Sequence, residues 1–242
     1  MVRTAESPEE GPTKERYIED LFAAIAPRYD FLNTIISFNR HKAWRRFAVR
    51  LARLSPGAAA LDVAAGTGDF AIELARAVGP EGRVTAIDFC EPMVEIGRRK
   101  TSGLQPAVNW VIGGAMSLPF ASDTFDCAVI GFALRNVASV PRVISEMTRV
   151  VKPGGRVVSL EINRPTSALL SPFWGLYFYR LVPAVAKAFG GKREPYRYLP
   201  MSVKRFYSRQ ELVDIMINTG LSDVRVHNLT MGVVCAHVGV KP

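Results

Sequence analysis

The chain has 242 residues, of which 48% are hydrophobic and 22% are charged. This is the composition of a globular protein, and the length allows one domain with a sizeable core. No apolar run reaches the roughly 18 residues that a membrane-spanning helix needs, which excludes an integral membrane protein. The net charge of +9 is compatible with an anionic membrane surface or a negatively charged ligand. The basic residues form no long tract, so we do not expect nucleic acid as a partner.

The cysteines and the N-terminal residues are typical of a cytoplasmic protein. Residues 1–16 are polar, contain Pro and Gly, and lack the apolar stretch of a signal peptide, so we predict a disordered tail. Residues 17–242 are then expected to form a single domain. The cysteines lack the spacing of a metal or redox site, and we expect reduced thiols and no metal at Cys90, Cys127 and Cys235.

From about residue 57, short apolar runs alternate with segments of helical periodicity. The runs that we predict as strands are Ala59–Val63, Arg83–Ile87, Val108–Ile112, Cys127–Gly131 and Arg156–Ile162. The predicted helices between them are Phe70–Val78, Pro92–Lys100 and Arg142–Val150. Strands that are separated by helices indicate a parallel sheet with helices on both faces.

The C-terminal part departs from this alternation. Ser208 and Glu211 have the spacing of a capping box, which predicts a helix that ends near Gly220. Two strand-like runs follow, Asp223–Asn228 and Val233–Val240, and the short stretch between them predicts an antiparallel hairpin. This element order resembles that of class I methyltransferases. It predicts a Rossmann-like α/β fold with a seven-stranded, mostly parallel sheet and an antiparallel C-terminal hairpin.

The first predicted strand ends abruptly in small residues, LDVAAGTGDF at positions 61–70. Open parallel sheets bind ligands beyond the carboxyl ends of their strands, where glycines allow a tight turn and close approach to the backbone. The acidic flanks favour a positively charged ligand such as S-adenosylmethionine over the pyrophosphate of a dinucleotide; a glycine-rich turn without a ligand is the alternative. The cofactor-binding residues predicted here are Asp62, Ala64, Gly66, Thr67 and Gly68.

Three later segments are predicted to complete the cofactor site. Asp88 ends the second strand, where its carboxylate can accept hydrogen bonds from two ribose hydroxyls or, alternatively, cap the next helix. Met93 is predicted to pack against the adenine or in the core. Gly114 and Ala115 follow the third strand, where methyltransferases place their adenine-contacting loop, and Gly131 ends the fourth strand.

The stretch YDFLNTIISFNRHKAW at positions 29–44 closely resembles the signature of the C-methyltransferases of ubiquinone and menaquinone biosynthesis. Blocks similar to that family's follow in its order: LPFASDTFD, GFALRNV, RVVKPGGRVVSLEIN, YRYLP and NLTMGVVCAHVG. The chain departs from the family at four positions. Members usually carry Asn or Asp where this chain has Gly114, and the ubiquinone branch carries Ser at the position of Gly131. Asn163 and Leu32 replace a Ser and a common Met.

The resemblance implies methyl transfer from S-adenosylmethionine to a ring carbon of a prenylated hydroquinone. The substrate is expected to be the reduced quinol because a quinone ring is electron-poor, and Gly131 favours demethylmenaquinol over the ubiquinone precursor. Loss of a phenolic proton, with a pKa near about 10, activates the ring, so the site needs a base or a positive charge. The candidate catalytic residues are Arg135, His41, Tyr29 and Asn136; the candidate substrate-binding residues are Asp30, Asn33, Trp44, Tyr196 and Tyr198.

Structural roles are the alternative for several of these side chains. Arg135 can form a salt bridge that fixes its loop, His41 can pack beside Trp44, and Asp30 can cap a helix. Two further functions also fit the sequence. One is a different small-molecule methyltransferase on the same scaffold, and the other is a non-catalytic binding member of a quinone-synthesis complex.

Residues 17–56 are predicted to form an N-terminal helical cap, and residues 164–207 a helical lid or insertion. Within the latter, residues 168–189 are rich in large aromatic side chains and are interrupted by Pro172 and Pro183. One interpretation is that this segment lines a channel for the prenyl tail and rests on the anionic inner face of the membrane. An ordinary packed insertion or a homodimer contact is the alternative.

Overall fold

The computed structural model of this protein describes residues 12–163, 165, 175–177, 180 and 193–242, and of residues 12, 13 and 193–197 it describes the backbone alone. In chain order the elements are α1 (Pro12–Ile25), α2 (Tyr29–Ile36), α3 (Arg40–Ala52), β1 (Ala59–Val63), α4 (Asp69–Val78), β2 (Arg83–Asp88), α5 (Glu91–Thr101), β3 (Val108–Ile112), β4 (Phe125–Gly131), α6 (Val140–Val150), β5 (Val151–Ile162), α7 (Arg193–Arg205), α8 (Arg209–Asn218), β6 (Ser222–Leu229) and β7 (Val234–Val240). Short 3-10 helices lie at Ala26–Arg28, Leu134–Asn136 and Thr230–Gly232.

The seven strands form one sheet in the order β3-β2-β1-β4-β5-β7-β6. Neighbouring strands run parallel from β3 to β5, whereas β7 is antiparallel to both β5 and β6. The direction of the chain along the sheet reverses between β1 and β4, which is the point where open α/β sheets bind their ligands. The predicted fold class is confirmed.

The sheet is covered on both faces, which explains why its central strands are apolar without alternation. Every residue of β1 is buried. Helices α3, α4 and α5 pack on one face and helices α6 and α8 on the other. Each fully buried aliphatic side chain of these layers contributes roughly 1.5–3 kcal/mol.

The predicted elements match the observed ones closely, and the two largest differences at strand starts are those of β4 and β5. The capping box is present, because Ser208 accepts a hydrogen bond from the backbone of Glu211 and Glu211 returns one to the backbone of Ser208. Strand β4 begins earlier than predicted, at Phe125. Strand β5 begins at Val151, and its register with β4 shifts across the Pro-Gly-Gly turn before Arg156.

The N-terminal helices require one correction. Helix α1 begins at Pro12, so residues 12–16 are helical and not part of a disordered tail. Proline is compatible with the first helical turn, and Glu15 in that turn is stabilised by the helix dipole. Lys14 Nζ also donates to the backbone oxygen of Val137 at 2.9 Å, which ties the start of α1 to the body of the domain.

Two predictions fall largely outside the described residues. They are the tail up to residue 11 and the segment 168–189, of which only a few positions are described. Within the described part of the chain, each helix is too short or too polar to cross a bilayer.

Candidate active site

A cavity of about 410 Å³ lies at the carboxyl ends of β1, β2, β3 and β4, and we call it the strand-end cavity. Its walls are the residues that end or follow these strands, and helix α1 closes the remaining side with Glu15, Ile18 and Phe22. The predicted cofactor residues that line it are Ala64, Gly66, Asp88, Met93, Gly114, Ala115 and Gly131. Its volume and position are those of a cofactor pocket in an open α/β sheet.

Asp88 and the turn at Gly66 are fixed to one another by hydrogen bonds. Asp88 Oδ2 accepts from the backbone N of Gly66 at 2.8 Å, and Oδ1 accepts from the backbone N of Cys90 at 2.9 Å. Burial raises the pKa of the Asp88 carboxyl, and these N–H groups act in the opposite direction. The N-cap of α5 is Cys90 and not Asp88. Each carboxylate oxygen keeps a second lone pair with which it can accept a ribose hydroxyl.

Three positions of the strand-end cavity carry glycine, and a side chain at each of them would meet different surroundings. Gly66 adopts a left-handed conformation with φ +55° in the turn that faces Asp88. A Cβ on Gly131 would lie 2.3 Å from Phe70 Cε2, so packing against Phe70 explains the missing Ser at this position. A Cβ on Gly114, by contrast, would meet no heavy atom of the described residues within 4 Å.

These groups fit the S-adenosylmethionine that the sequence predicts. Glu15 and Asp88 give the cavity negative charge, which suits a ligand that carries an ammonium and a sulfonium. Met93 is 2% exposed and adds an apolar side chain to the cavity lining. The open space at Gly114 leaves room for the adenine edge.

Four predicted residues are not among the described residues that line either cavity of this site. Asp62 is buried, which raises the pKa of its carboxyl, and Thr67 Oγ1 donates to Asp30 Oδ1 at 2.5 Å. A Cβ on Gly68 would lie 2.8 Å from Trp110 Cζ2, so close packing against that ring accounts for the glycine. These contacts give Thr67, Gly68 and Asp30 structural roles, and the ligand roles predicted for these residues and for Asp62 stay predictions.

Lys100 links the helices around the strand-end cavity. Its Nζ lies 2.7 Å from Asp30 Oδ2 and 2.5 Å from Asp69 Oδ1, which joins α2, α4 and α5. Burial alone would raise the pKa of the Asp69 carboxyl, but the neighbouring His41, Arg45 and Lys100 side chains hold it well below its usual range. The acid at the start of α4 is thus a charged structural anchor.

A second cavity of about 150 Å³ adjoins the first, and we call it the apolar cavity. Side chains from α1, α2, α3, α7 and the start of β7 line it, and most of them are aliphatic or aromatic. The predicted substrate residues Asn33, Trp44 and Tyr198 are among them, whereas the side chain of Tyr196 lies outside the described residues. Burial raises the pKa of the Tyr198 hydroxyl.

The two cavities share a wall that is formed by Phe22, Tyr29, Phe132 and Asn136. Asn136 is 8% exposed, and its Oδ1 has no hydrogen-bond partner among the described residues. A buried polar atom without a partner costs about 1–3 kcal/mol, so this atom is disposed to bind a ligand group. The structure thus brings Tyr29 and Asn136, both predicted as catalytic, to the boundary between the cavities.

Arg135 forms the salt bridge that was the structural alternative for it. Its Nη1 lies 3.1 Å from Glu161 Oε2, and Glu161 Oε1 accepts from the backbone N of Leu134 at 2.7 Å, so the pair fixes the loop after β4. Burial raises the pKa of Glu161, and the charge of Arg135 opposes that rise. Arg135 also lines the apolar cavity, and its buried Nε has no partner among the described residues.

His41 lines the apolar cavity, but its ring nitrogens are occupied. Nδ1 lies 2.7 Å from Arg45 Nη1 and 3.3 Å from Asp69 Oδ2, and Nε2 lies 3.3 Å from Thr34 Oγ1. Nδ1 therefore faces both a guanidinium, which only donates, and a carboxylate, which only accepts, so the tautomer decides which of the two it bonds. These contacts hold the His41 ring in place beside the apolar cavity, and its role as a base stays a prediction.

Sequence reasoning missed several lining residues, among them Ile18, Phe22 and Phe132. A signal for the first two was present, because Ile18, Leu21, Phe22 and Ile25 recur at helical intervals in α1. Phe132 lies within the GFALRNV block, next to residues that were singled out.

The family model described as the ubiE/COQ5 methyltransferase family matches residues 11–241 of this chain. A demethylmenaquinone methyltransferase of Bacillus cereus is 43% identical over 231 residues, which cover 95% of this chain and 98% of the relative. A demethylmenaquinone methyltransferase of Bacillus anthracis has the same identity and coverage.

Two solved structures show the same fold at low sequence identity. A SAM-dependent methyltransferase of Thermotoga maritima, described as a possible histamine N-methyltransferase, is similar with a TM-score of 0.65 and 21% identity, over 93% of this chain and 100% of that one. The [4+2]-cyclase SpnF is similar with a TM-score of 0.70 and 16% identity, over 98% of this chain and 99% of that one. Because one of these proteins is named as a cyclase, the shared fold alone does not fix the reaction.

Proposed function

Because the chain belongs to the ubiE/COQ5 methyltransferase family, we propose that it transfers a methyl group from S-adenosylmethionine to a ring carbon of demethylmenaquinol. As a member of that family, the chain is an S-adenosylmethionine-dependent methyltransferase. Relatives that are named for demethylmenaquinone, at 43% identity over 95% of the chain, support this quinol over the ubiquinone precursor.

The shared wall of the two cavities is the observation that carries this proposal. A methyl transfer needs the donor and the acceptor carbon in line and in contact, and holding them so supplies a large part of the rate enhancement. Tyr29, Phe132 and Asn136 border both the strand-end cavity and the apolar cavity. A donor in the first and a quinol ring in the second would therefore meet at these three residues.

The donor side of the site is assigned to the strand-end cavity. Bound S-adenosylmethionine supplies an electrophilic methyl group on its sulfonium. Asp88 would hold the ribose hydroxyls and Met93 would pack against the adenine, since both line the cavity. Because Gly66 has no side chain, the backbone of this turn would approach the ligand closely.

The acceptor side favours a reduced ring. The unpartnered Oδ1 of Asn136 can accept a hydrogen bond from a ring hydroxyl, whereas a quinone carbonyl has no proton to donate. The guanidinium of Arg135 lines the same cavity, and its positive charge would lower the pKa of the ring hydroxyl and stabilise the phenolate. The aliphatic and aromatic lining suits a prenyl tail.

Arg135→Ala tests the acceptor side. We expect turnover to fall about 100-fold with S-adenosylmethionine affinity unchanged within about threefold, because the side chain acts on the ring and not on the donor. The substitution also leaves Glu161 buried without its partner, so Arg135→Ala/Glu161→Gln is the matched control for loop stability. Unchanged turnover in both variants would remove Arg135 from the mechanism.

The substrate is tested by incubation with isotope-labelled S-adenosylmethionine and a panel of reduced quinols, followed by mass analysis. The expected result is a carbon-bound methyl group on demethylmenaquinol and none on the oxidised quinone. Methylation of a different phenol alone would indicate another small-molecule methyltransferase. Calorimetry that shows no binding of S-adenosylmethionine would indicate a non-catalytic member of a quinone-synthesis complex.

We propose a cytoplasmic location, with the protein at the inner face of the membrane. The support is the net charge of +9 and a substrate whose tail resides in the bilayer. Flotation with anionic liposomes at low salt tests this location. The sequence of residues 168–189 is compatible with contact with the membrane and with contact within a homodimer. Sedimentation analysis in the absence of lipid would detect a homodimer.

A further inference from the structure

Two large apolar side chains project into solvent on ordered turns. Phe38 is 73% exposed and Met231 is 66% exposed, the highest values among the large hydrophobic residues of the described chain. Both have left-handed backbones, with φ 51° for Phe38 and φ 55° for Met231, a conformation that is unfavourable for bulky side chains. The Phe38 ring contacts the Tyr177 ring, with centroids 6.1 Å apart, but Phe38 stays largely exposed beside it. A further contact outside the described chain would offset the cost of exposing and straining both residues.

The turns are held rigidly, so the exposure does not result from fraying. The backbone N of Phe38 donates to the oxygen of Ile35 at 3.1 Å, and that of Asn39 donates to the oxygen of Thr34 at 2.7 Å. The turn of Met231 is closed by a hydrogen bond of 3.1 Å from Val233 N to the oxygen of Thr230.

Both turns border the apolar cavity. Phe38 directly follows Ser37, which lines that cavity, and Met231 lies two residues before Val233, which also lines it. Trp44 Nε1 donates to Thr230 Oγ1 at 2.9 Å, which connects helix α3, the helix that follows the Phe38 turn, to the Met231 turn. The two apolar tips therefore stand beside the same cavity.

Exposed cations follow the first tip along helix α3. Arg40, Lys42 and Arg46 of α3 are exposed, and the first turn of this helix contains no acidic residue. Positive charge at a helix N-terminus opposes the helix dipole, so the internal electrostatics of α3 do not explain these residues. Contact with an external anionic surface would explain these exposed cations.

We propose that Phe38 and Met231 insert into the interfacial region of an anionic lipid bilayer while Arg40, Lys42 and Arg46 contact its headgroups. This docking surface rests on the proposed function, because it would place the apolar cavity against the membrane in which a prenylated quinol resides. Apolar insertion combined with basic contacts is the usual physical basis of reversible membrane binding. The cations favour a bilayer over a second copy of this chain, whose corresponding surface would carry the same charge.

The test compares vesicle flotation of the full-length protein and of Phe38→Asn/Met231→Asn. Asn tolerates the left-handed conformation, so the turns should be preserved. With vesicles of equal parts phosphatidylcholine and phosphatidylglycerol, we expect the partition coefficient to fall roughly tenfold in the double variant. Ile217→Asn is the matched control, since Ile217 is 52% exposed on α8 and belongs to neither turn.

A second pair of variants tests the charges. Lys42→Gln/Arg46→Gln should lose most of the preference for phosphatidylglycerol over pure phosphatidylcholine vesicles, and added salt should have the same effect on the unmodified protein. Arg98→Gln/Arg99→Gln on α5 removes the same charge elsewhere and should retain the preference.

Activity measurements separate this proposal from the proposed function. The Phe38→Asn/Met231→Asn variant should methylate a short-tail, water-soluble quinol at the unmodified rate and a long-tail quinol in vesicles more slowly. Vesicle binding equal to that of the unmodified protein would overturn the docking surface, as would loss of a dimer without any change in vesicle binding. If the unmodified protein methylates no quinol, the proposed function fails, whatever the vesicles show.

Discussion

The strand-end cavity and the apolar cavity are built in opposite ways. The first is formed by short segments at the ends of four neighbouring strands, and its main polar contacts are backbone N–H groups and the carboxylate of Asp88. The second is assembled from the N-terminal helices α1, α2 and α3 together with α7 and β7, which lie far from them in the sequence, and its lining is mostly apolar. Donor recognition should therefore depend on a few directional groups, and acceptor recognition on shape and apolar area.

Gly131→Ser tests whether the strand-end cavity depends on close backbone packing. It is expected to have the largest effect of these substitutions, a loss of stability. The added Cβ would lie 2.3 Å from Phe70 Cε2, which is buried. Overpacking of this kind costs about 1–3 kcal/mol, and denaturant unfolding should show a loss near the upper end of that range.

The control for this substitution is Gly114→Ser, which introduces the same side chain where the described residues leave space. It should leave the free energy of unfolding unchanged within about 0.5 kcal/mol. Equal stability of the two variants would mean that Phe70 can move, and that packing does not explain the glycine at position 131.

Asp88→Asn tests whether donor binding depends on a single carboxylate. The amide loses the charge and turns an NH₂ group towards one of the two backbone N–H donors, so we expect S-adenosylmethionine affinity to fall about 30-fold in calorimetry. Asp126→Asn is the matched control, since Asp126 Oδ2 also accepts a backbone hydrogen bond, at 2.7 Å from Ala59 N, but lies away from both cavities. Similar affinity losses in both variants would indicate a general effect on the fold.

Ile36→Trp tests whether acceptor recognition depends on the shape of the apolar cavity. Ile36 lines the apolar cavity at the end of α2, and a larger ring would occupy part of its volume of about 150 Å³. We expect KM for a long-tail quinol to rise about tenfold while Kd for S-adenosylmethionine is unchanged. Ile217→Trp, on the exposed face of α8, should change neither constant. An altered Kd for the donor with unaltered quinol KM would reverse the assignment of the cavities.

The same contrast explains how much of the site the sequence could predict. The strand-end cavity was predictable because the turn at Gly66, the carboxylate of Asp88 and the loop at Gly114 each follow a strand that the apolar runs mark. The packing of Gly68 against Trp110 was not predictable, because a glycine that faces a ligand and one that faces a tryptophan look alike in a sequence.

The apolar cavity could be predicted only through family resemblance. Its residues come from elements whose contacts depend on tertiary packing, and an apolar side chain that lines a cavity has the same pattern as one in the core. The structural role of Asp30 was hidden for the same reason, since its partner Lys100 is 70 positions away along the chain. The fold class, by contrast, followed from the alternation of strand and helix periodicities alone.

Gly114→Asp should have the smallest effect and is the only substitution here that is expected to improve binding. Described residues leave space for the side chain, and the family resemblance predicts an acidic or amide acceptor for the adenine amine at this position. One added hydrogen bond to a partly buried group stabilises binding by about 1 kcal/mol, so S-adenosylmethionine Kd should fall about fivefold. Gly114→Ala makes the same backbone change without the acceptor and should leave Kd unchanged. If the two variants bind the donor equally well, the adenine does not lie against this loop, and the orientation assigned to the donor in the strand-end cavity is wrong.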